Sequence, residues 1–394
     1  MKIFLRSGPA VLAIVAAGVV VYANTWQSSF HFDDQTSIVW NYAIQRLADV
    51  RSIWDFWPTR FLTYFSFALN YHIHQLGVFG YHIVNTVIHL AAALCVRWLV
   101  LLTWRAAKKG SEDQEAGRLV ALFAALIFVA HPVQTQAVTY ITQRAASLAG
   151  LLYLGAACLY VRSRLENFSR RAFAFYAAAL LAGLLAMFSK EVSVTLPLAL
   201  ALHEALFLSP GQKKPWGRLA PFFALACVVP LVMALTGSVD LVGMRRVVEP
   251  APGIAPGVYA LTQLRVLVTY WRLLLWPVHQ TLDYDYPLFS SLTALPVFLS
   301  FIFLSGLLAA AGRSRRARPI FSFGVFWFFI SLFPESSFIP IRDVIFEHRL
   351  YLALVGPAMA TVWMSFENIS PRRRLWMAAG FIFIIGVLAV ASVR

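Results

Sequence analysis

Two adjacent carboxylates follow the first apolar run of the chain, in the sequence Phe30-His-Phe-Asp-Asp-Gln35. Neighbouring carboxylates at a low-dielectric surface repel each other and lose hydration, so the pKa of one of them is expected to rise. Such a carboxylate suits a general base that removes the proton of an acceptor hydroxyl. The alternative is an aspartate that caps a short helix beginning near Gln35. We predict Asp34 as the base, with Asp33 bound to a nearby cation or backbone amide.

Several cationic side chains stand at or near the ends of other apolar runs, where they are available to an anionic group. A guanidinium holds a phosphate through two parallel hydrogen bonds, and an ammonium or imidazolium adds single ones. For Arg60 the alternative is a side chain that simply extends to the membrane surface, and for Lys190 it is a neutralised pair with Glu191. For the run Glu347-His-Arg349 it is a closed structural network. The predicted ligands of a phosphate are Arg60, His131, Arg144, Lys190, His348 and Arg349.

Further polar residues are predicted to support this site. Glu347 is placed to orient one of its two cationic neighbours, His348 or Arg349. His82, Asn85 and His89 share one helical face because they are three and four residues apart. Buried, hydrogen-bonded histidines are favoured here over metal ligands, so we predict no residue as a metal ligand. We expect no cofactor, and a bound divalent metal stays open as an alternative. The supporting positions are His82, Asn85, Glu191 and Glu347.

The elements that carry these residues must be membrane helices. Hydrophobic residues make up 60% of the 394 residues and charged residues 13%, whereas soluble domains average roughly 45–50% and about 25%. This excludes a soluble enzyme. The formal net charge of +15 does not indicate nucleic-acid binding, because the cations stand between apolar runs. About eleven runs approach the roughly 20 residues that a span requires: 8–26, 82–104, 118–133, 137–161, 172–188, 192–209, 219–236, 291–311, 319–333, 349–365 and 375–392.

The distribution of lysine and arginine predicts the orientation of these spans. With a cytoplasmic N-terminus, most of the 33 Lys and Arg residues fall in short inner loops, as the positive-inside rule requires. The run 259–277 contains Arg265 and Arg272, which are costly in mid-membrane, so we predict a segment 237–290 that is periplasmic or re-entrant. The first periplasmic loop, 27–81, then carries the acidic pair, and the C-terminus is periplasmic.

Short motifs occur in a fixed order from about residue 30 to about residue 355: Phe32-Asp-Asp34, Tyr81-His-Ile-Val-Asn85, His131-Pro132 through Ala137-Val138, Lys190-Glu191, Tyr270 to Pro277 with Leu282-Asp-Tyr284, and Pro334-Glu-Ser-Ser337 with Glu347 to Tyr351. As a set they resemble the transmembrane, tetratricopeptide-repeat-containing O-mannosyltransferase family and its bacterial relatives. The resemblance implies one domain, 1–394, with the all-α, polytopic GT-C glycosyltransferase fold. It also implies an inverting transfer without a metal, in which the acidic motif in the first outer loop supplies the catalytic base.

The implied donor is a hexose, such as mannose, on a polyprenyl phosphate. The implied acceptor is a Ser, Thr or Tyr hydroxyl of a secreted or surface protein. By position, Asp33 and Asp34 match the acidic motif of the family, and the predicted phosphate ligands face the donor. We therefore expect a multi-pass enzyme of a bacterial inner membrane, surrounded by the lipid bilayer, with its active site on the periplasmic face.

The sequence departs from the family pattern at a few positions. Gln134 and Gln136 stand where the family commonly has a histidine and a glutamate, and Ala146 or Ser147 replaces a later acidic residue. We expect no repeat domain after the last span, so that acceptor capture depends on outer loops or another protein. Two alternatives stay open, namely a glycan or lipid acceptor and a non-catalytic lipid-phosphate binder or transporter. A transporter fits less well, because its charges usually lie near the membrane midplane in two repeated halves.

Overall fold

The computed structural model describes residues 7–108, 113–166, 169–213, 215–237, 254–341 and 343–393, and these residues contain helices and no β-strand. Short 3-10 turns join many of the helices, among them Ile141–Gln143 and Glu347–Arg349. In chain order the α-helices are α1 Ser7–Tyr22, α2 Val50–Phe56, α3 Phe61–His74, α4 Val78–Ala107, α5 Gln114–Ala130, α6 Thr135–Thr139, α7 Arg144–Leu165, α8 Arg170–Met187, α9 Leu196–His203, α10 Trp216–Ala226, α11 Val228–Leu235, α12 Pro256–Leu275, α13 Leu295–Ser314, α14 Pro319–Leu332, α15 Leu350–Ala353, α16 Val355–Phe366 and α17 Pro371–Val393.

Within the described residues, eight helical segments are long and apolar enough to cross a membrane, or up to ten if each of two bent pairs is one span. The bent pairs are Gln114–Ala130 with Pro132–Thr139, at 57°, and Glu347–Ala353 with Val355–Phe366, at 50°. Helix α14 is apolar but has only 14 residues. The prediction of an all-α, polytopic membrane protein is confirmed. The predicted count of about eleven spans is higher than the eight to ten found in the described residues. Three of the predicted runs account for the difference, because two lie in the bent pairs and one is the short α14.

The first bend lies at His131, where the sequence itself stops the helix. A residue before proline is biased away from helical geometry, and His131 has extended backbone angles, φ −76° and ψ 127°. Pro132 then begins the next short turn, where its missing N–H is not needed. The chain from His131 to Gln143 therefore forms short turns at one end of the helical bundle instead of continuing through it.

The two ends of the bundle differ in chemistry. At one end, which we call the site end, the Asn24 side-chain amide donates to the Val393 carbonyl at 3.0 Å, and the acidic pair follows shortly after. At the other, which we call the basic end, Lys108 pairs with Glu367 at 2.6 Å. Helix α14 leads from the arginine-rich loop 313–318 to the site end, so this loop lies at the basic end, away from the acidic pair.

Helix α12 lies along the site end. Near its start, the Tyr259 hydroxyl donates to the Glu335 carbonyl at 2.7 Å, and near its end the Leu274 carbonyl lies 3.1 Å from Nε2 of His131. Both contacts are to residues that follow the site-end termini of α14 and α5. Helix α12 is also not among the helices apolar enough to span a membrane. Residues 238–253 of the predicted segment 237–290 lie outside the described residues.

Close packing of α14 on α16 holds the turn Glu347–Arg349 in place. A Cβ on Gly324 would lie 3.0 Å from the Gly356 carbonyl oxygen, and a Cβ on Gly356 would lie 2.9 Å from the Gly324 oxygen. Small residues let two membrane helices approach closely in this way. The Trp327 indole N–H donates to the Leu352 carbonyl at 2.8 Å, which fixes α15 and the turn before it.

Candidate active site

Asp34 is a buried carboxylate held by three hydrogen bonds. One oxygen accepts the backbone N–H of Thr142 at 2.7 Å and also the Thr142 hydroxyl, and the other accepts the backbone N–H of His31 at 3.1 Å. Burial raises the pKa of Asp34 above its usual range, and the Thr142 and His31 donors offset only part of this rise. The carboxylate does not cap the turn Gln35–Val39 that follows it, so the helix-cap alternative does not hold for Asp34.

Asp33 lies in different surroundings from its neighbour. It is exposed, and its backbone N–H donates to the Tyr140 hydroxyl at 2.8 Å. The preceding Phe32 has φ 45°, a left-handed conformation that costs roughly 1–3 kcal/mol outside glycine. Beyond this turn, Asp33 stays at the surface and Asp34 faces inward.

Glu347 is a second buried carboxylate at the site end. It accepts the backbone N–H of Thr281 at 3.1 Å, and also the Gln280 amide and the Tyr284 hydroxyl. All three donors come from the loop between α12 and α13. The described hydrogen bonds of Glu347 go to this loop and not to His348 or Arg349, so the predicted orienting of one of these neighbours finds no support in this geometry.

Asp34 and Glu347 line the same cavity, which has a volume of about 370 Å³. This volume falls within the range of small-molecule sites. The C-terminal turn of α17 also borders it, through Ser392. Most of the cavity surface is apolar, but several of the other lining residues carry a hydroxyl or amide group, the kind of group that can bind sugar or alcohol hydroxyls. They include Ser28, Ser29, Thr135, Gln136, Thr139 and Tyr140.

Arg60, Lys190 and Arg349 form a group of buried or half-buried cations with Glu191 and Glu335; we call these five residues the basic cluster. Lys190 pairs with Glu335 at 2.9 Å, and Arg60 pairs with Glu191, also at 2.9 Å. Lys190 therefore does not pair with its sequence neighbour. Burial lowers the pKa of Lys190; Glu335 raises it in part, and the charges of Arg60 and Arg349 lower it further. Burial raises the pKa of Glu335, but Lys190 and Arg349 outweigh it and hold the pKa below its usual range.

Arg349 is held differently from the other two cations. Its guanidinium donates to the backbone carbonyls of Asp343 at 2.7 Å and Val344 at 3.1 Å. Its buried Nε has no hydrogen-bond partner among the described residues. Arg349 follows Glu347 in one 3-10 turn, so this turn joins the basic cluster to the cavity. Arg60, Lys190 and Arg349 are brought together as predicted for a phosphate site, but they do not line the described cavity of Asp34.

Arg144 is fully buried and bound within the protein. Its Nε donates to the Asn85 side-chain oxygen at 2.6 Å, Nη2 donates to the Tyr81 carbonyl at 3.1 Å, and Nη1 donates to Ser66. The Asn85 amide in turn donates to the Ile141 carbonyl at 3.3 Å. Every guanidinium nitrogen is thus bound to protein, and the geometry assigns Arg144 and Asn85 to holding the turn that carries Thr142.

His131, His348 and His82 all bind other parts of the chain. Nδ1 of His131 accepts the Val133 N–H at 3.3 Å, and Nε2 lies near Leu274 as described, so neither ring nitrogen is directed at a phosphate. The predicted phosphate contact of His131 therefore finds no support in this geometry. Nδ1 of His348 lies 3.1 Å from the Gln136 side-chain oxygen. Nε2 of His82 lies 2.9 Å from the backbone oxygen of Ser28.

Sequence reasoning missed several residues that shape the site. Thr142 and Gln280 carry no motif that marks them. Glu335 and Tyr284 belong to the short motifs named above, but nothing near them in sequence reveals that they bind Lys190 and Glu347. Gln136, at a position where the family pattern is broken, joins His348 to the loop at Leu282, whose carbonyl accepts the Gln136 amide at 3.3 Å.

The fold and the site define a polytopic, all-helical membrane protein with a carboxylate-lined cavity beside buried cations at one end of its bundle. No protein-family model matches the chain. No solved structure matches it either.

The chain is similar to curated protein O-mannosyl-transferases. It is 33% identical to one from Drosophila melanogaster over 39% of this chain and 19% of the relative. It is 24% identical to one from Caenorhabditis elegans over 88% of this chain and 50% of the relative. It is 28% identical to one from Homo sapiens, and that match covers 47% of this chain and 28% of the relative. The predicted resemblance to this family is thereby confirmed. The matches span between about a fifth and half of these relatives' lengths.

Proposed function

We propose that this protein is a glycosyltransferase that moves a hexose, mannose in the first instance, from a polyprenyl phosphate to a hydroxyl of a protein. The observation that carries the proposal is the buried Asp34 carboxylate, which faces a cavity of suitable size beside the basic cluster. The names of the relatives support the reaction class, and the order of the shared motifs supports a GT-C architecture.

The reaction assigns one task to each group. The acceptor oxygen forms a bond to the anomeric carbon while its proton passes to Asp34. The bond between that carbon and the phosphate oxygen breaks, and the electron pair leaves with the phosphate, which inverts the anomeric centre. Lys190, Arg60 and Arg349 stabilise the negative charge that develops on the phosphate. A phosphate leaves readily, so no separate general acid is required.

The raised pKa of Asp34 suits this role. A base is most effective when its pKa approaches the working pH while most of it remains ionised. The Thr142 donors keep the carboxylate oriented. Glu347, which lines the same cavity and is held by three donors, is proposed to bind hydroxyls of the sugar or the acceptor.

The proposal places the site end at the periplasmic face of a bacterial inner membrane, with a cytoplasmic N-terminus. The arginine-rich loop 313–318 lies at the basic end, where the positive-inside rule puts the cytoplasm. A transporter is less well supported, because Asp34, Glu347 and Lys190 gather at one end of the bundle. Transporters usually bind their substrate near the midplane.

Transfer by the purified full chain tests this function. The chain, in detergent or nanodiscs, is incubated with polyprenyl-phosphate mannose and serine-, threonine- or tyrosine-containing peptides, and the products are analysed by mass spectrometry and NMR. The proposal predicts a mannosylated peptide with an inverted anomeric centre. Transfer only to a glycan or lipid would correct the acceptor. Tight donor binding without transfer to any hydroxyl would identify a lipid-phosphate binder and contradict the proposal.

A further inference from the structure

A second cavity lies at the basic end, on the opposite side of the bundle from Asp34. It has a volume of about 380 Å³ and is enclosed by the start of α1, the last turns of α4 and the first turns of α5. Its described lining includes four cations and no carboxylate. The cations are Arg97, Arg105, Lys108 and Arg118.

The charge of this cavity is not balanced by the described protein. Lys108 has an ion-pair partner, Glu367. No ion pair is described for Arg97, Arg105 or Arg118 in the part of the chain that the structure covers. Asp113, at the start of α5, binds Arg374 instead. Arg105 and Arg118 are exposed, whereas Arg97 and Lys108 are half-buried, so the four like charges line a cavity that is partly open to solvent. An anion bound between them would reduce their mutual repulsion.

Arg97 is the most unusual of the four cations. It lies ten residues before the end of α4 at Ala107, which is about 15 Å along a helix. A charged side chain at such a depth normally faces a polar partner. The buried Nε of Arg97 has no hydrogen-bond partner among the described residues.

Trp104 supplies a second unused donor in the same wall. It is 7% exposed, and its indole N–H also has no described partner. Its ring is fixed from two sides: the Trp363 ring centroid lies 4.5 Å away, and a Cβ on Gly117 would come within 2.7 Å of the ring. Buried donors without acceptors are costly, and two of them belong to side chains in the wall of this cavity.

We propose that this cavity binds a phosphate group, with Arg97, Arg105 and Arg118 providing charge and Trp104 providing a neutral donor. A phosphate combines negative charge with several acceptor oxygens and matches the guanidinium geometry. Basic pockets between membrane helices on the cytoplasmic side are suited to phospholipid head groups. The phosphate belongs to an anionic lipid or is free in solution. Its binding at this cavity does not depend on the proposed transfer reaction.

Thermal unfolding of the full chain tests the site. The protein is placed in nanodiscs of neutral phosphatidylcholine and titrated with inorganic phosphate, or it is placed in nanodiscs that contain increasing fractions of phosphatidylglycerol or cardiolipin. Saturable stabilisation by lipid alone identifies a head-group site, and stabilisation by inorganic phosphate identifies a soluble ligand. No saturable stabilisation by either probe would overturn the proposal.

Variants separate a specific site from general charge attraction. Arg97→Gln and Trp104→Phe should each weaken the apparent affinity for the effective probe, by at least about tenfold for the arginine, which makes charged hydrogen bonds. The double variant Arg315→Gln/Arg316→Gln, in an exposed loop at the same end, should leave it unchanged. If Arg97→Gln fails to fold, the apparent affinity of Trp104→Phe for the effective probe is the deciding measurement. Unchanged affinity in Trp104→Phe, or equal loss in the loop variant, would contradict the site.

Discussion

The hydrogen bond from the Thr142 hydroxyl to Asp34 gives a prediction about the pH dependence of transfer. This hydroxyl stabilises the ionised carboxylate, while the backbone N–H of Thr142 donates to the same oxygen independently. Thr142→Val removes the hydroxyl and keeps the backbone donor. The pKa of Asp34, already raised by burial, should therefore rise further.

The size of this shift follows from the charge on the acceptor. A hydrogen bond to an ionised group contributes roughly 1.5–3 kcal/mol, and one pKa unit corresponds to about 1.4 kcal/mol. Thr142→Val should thus move the pKa upward by about 1–2 units. Because the base must be ionised, activity is lost as the pH falls through this pKa. The acid limb of the kcat/KM profile should accordingly move to higher pH, with less loss of activity at high pH.

The assay is the rate of mannose transfer to a peptide, measured across a pH series for the unchanged protein and for the variant. Thr139→Val is the matched control: Thr139 lines the same cavity, and its buried hydroxyl has no described partner. The control should leave the acid limb in place. An acid limb that stays fixed or moves to lower pH in Thr142→Val would refute Asp34 as the titrating base.

Two further predictions concern stability and are measured by thermal or chemical unfolding in detergent. Lys190→Met leaves Glu335 buried without its partner and should lower the free energy of unfolding by about 3–5 kcal/mol. The double variant Lys190→Met/Glu335→Gln should recover much of this stability. An equal loss of stability in the single and double variants would show that the two residues are not coupled. Gly150→Ala places a Cβ 2.6 Å from the Tyr351 ring and should cost about 1–3 kcal/mol through overpacking. Gly155→Ala, in the same helix with open space around it, should be neutral or stabilising, and equal effects of the two alanines would remove the packing argument.

The helices could be predicted from sequence because a membrane span is a local property. Each predicted apolar run contains a helix, and the bend at His131 follows from Pro132 beside it. The difference between predicted and observed spans also has a local origin. Helix α14 begins at Pro319 and ends after 14 residues, which is short for a full span.

The partners of charged residues could not be predicted, because they come from distant segments. Lys190 stands next to Glu191 in sequence, yet the chain directs it to Glu335 and directs Glu191 to Arg60. The sequence predicts His131 and Arg144 as ligands of a phosphate, but both side chains bind protein groups in the structure. Only the packing shows that both turn inward and bind the protein.

The most direct test of the central claim compares Asp34→Asn with Asp33→Asn in the peptide-mannosylation assay. The account predicts that Asp34→Asn slows transfer by about 10²–10⁴-fold through loss of general-base catalysis. It also predicts that binding of polyprenyl-phosphate mannose survives, since the basic cluster is intact, and that Asp33→Asn, with its exposed side chain, has a much smaller effect. Near-normal transfer by a folded, donor-binding Asp34→Asn protein would contradict the account.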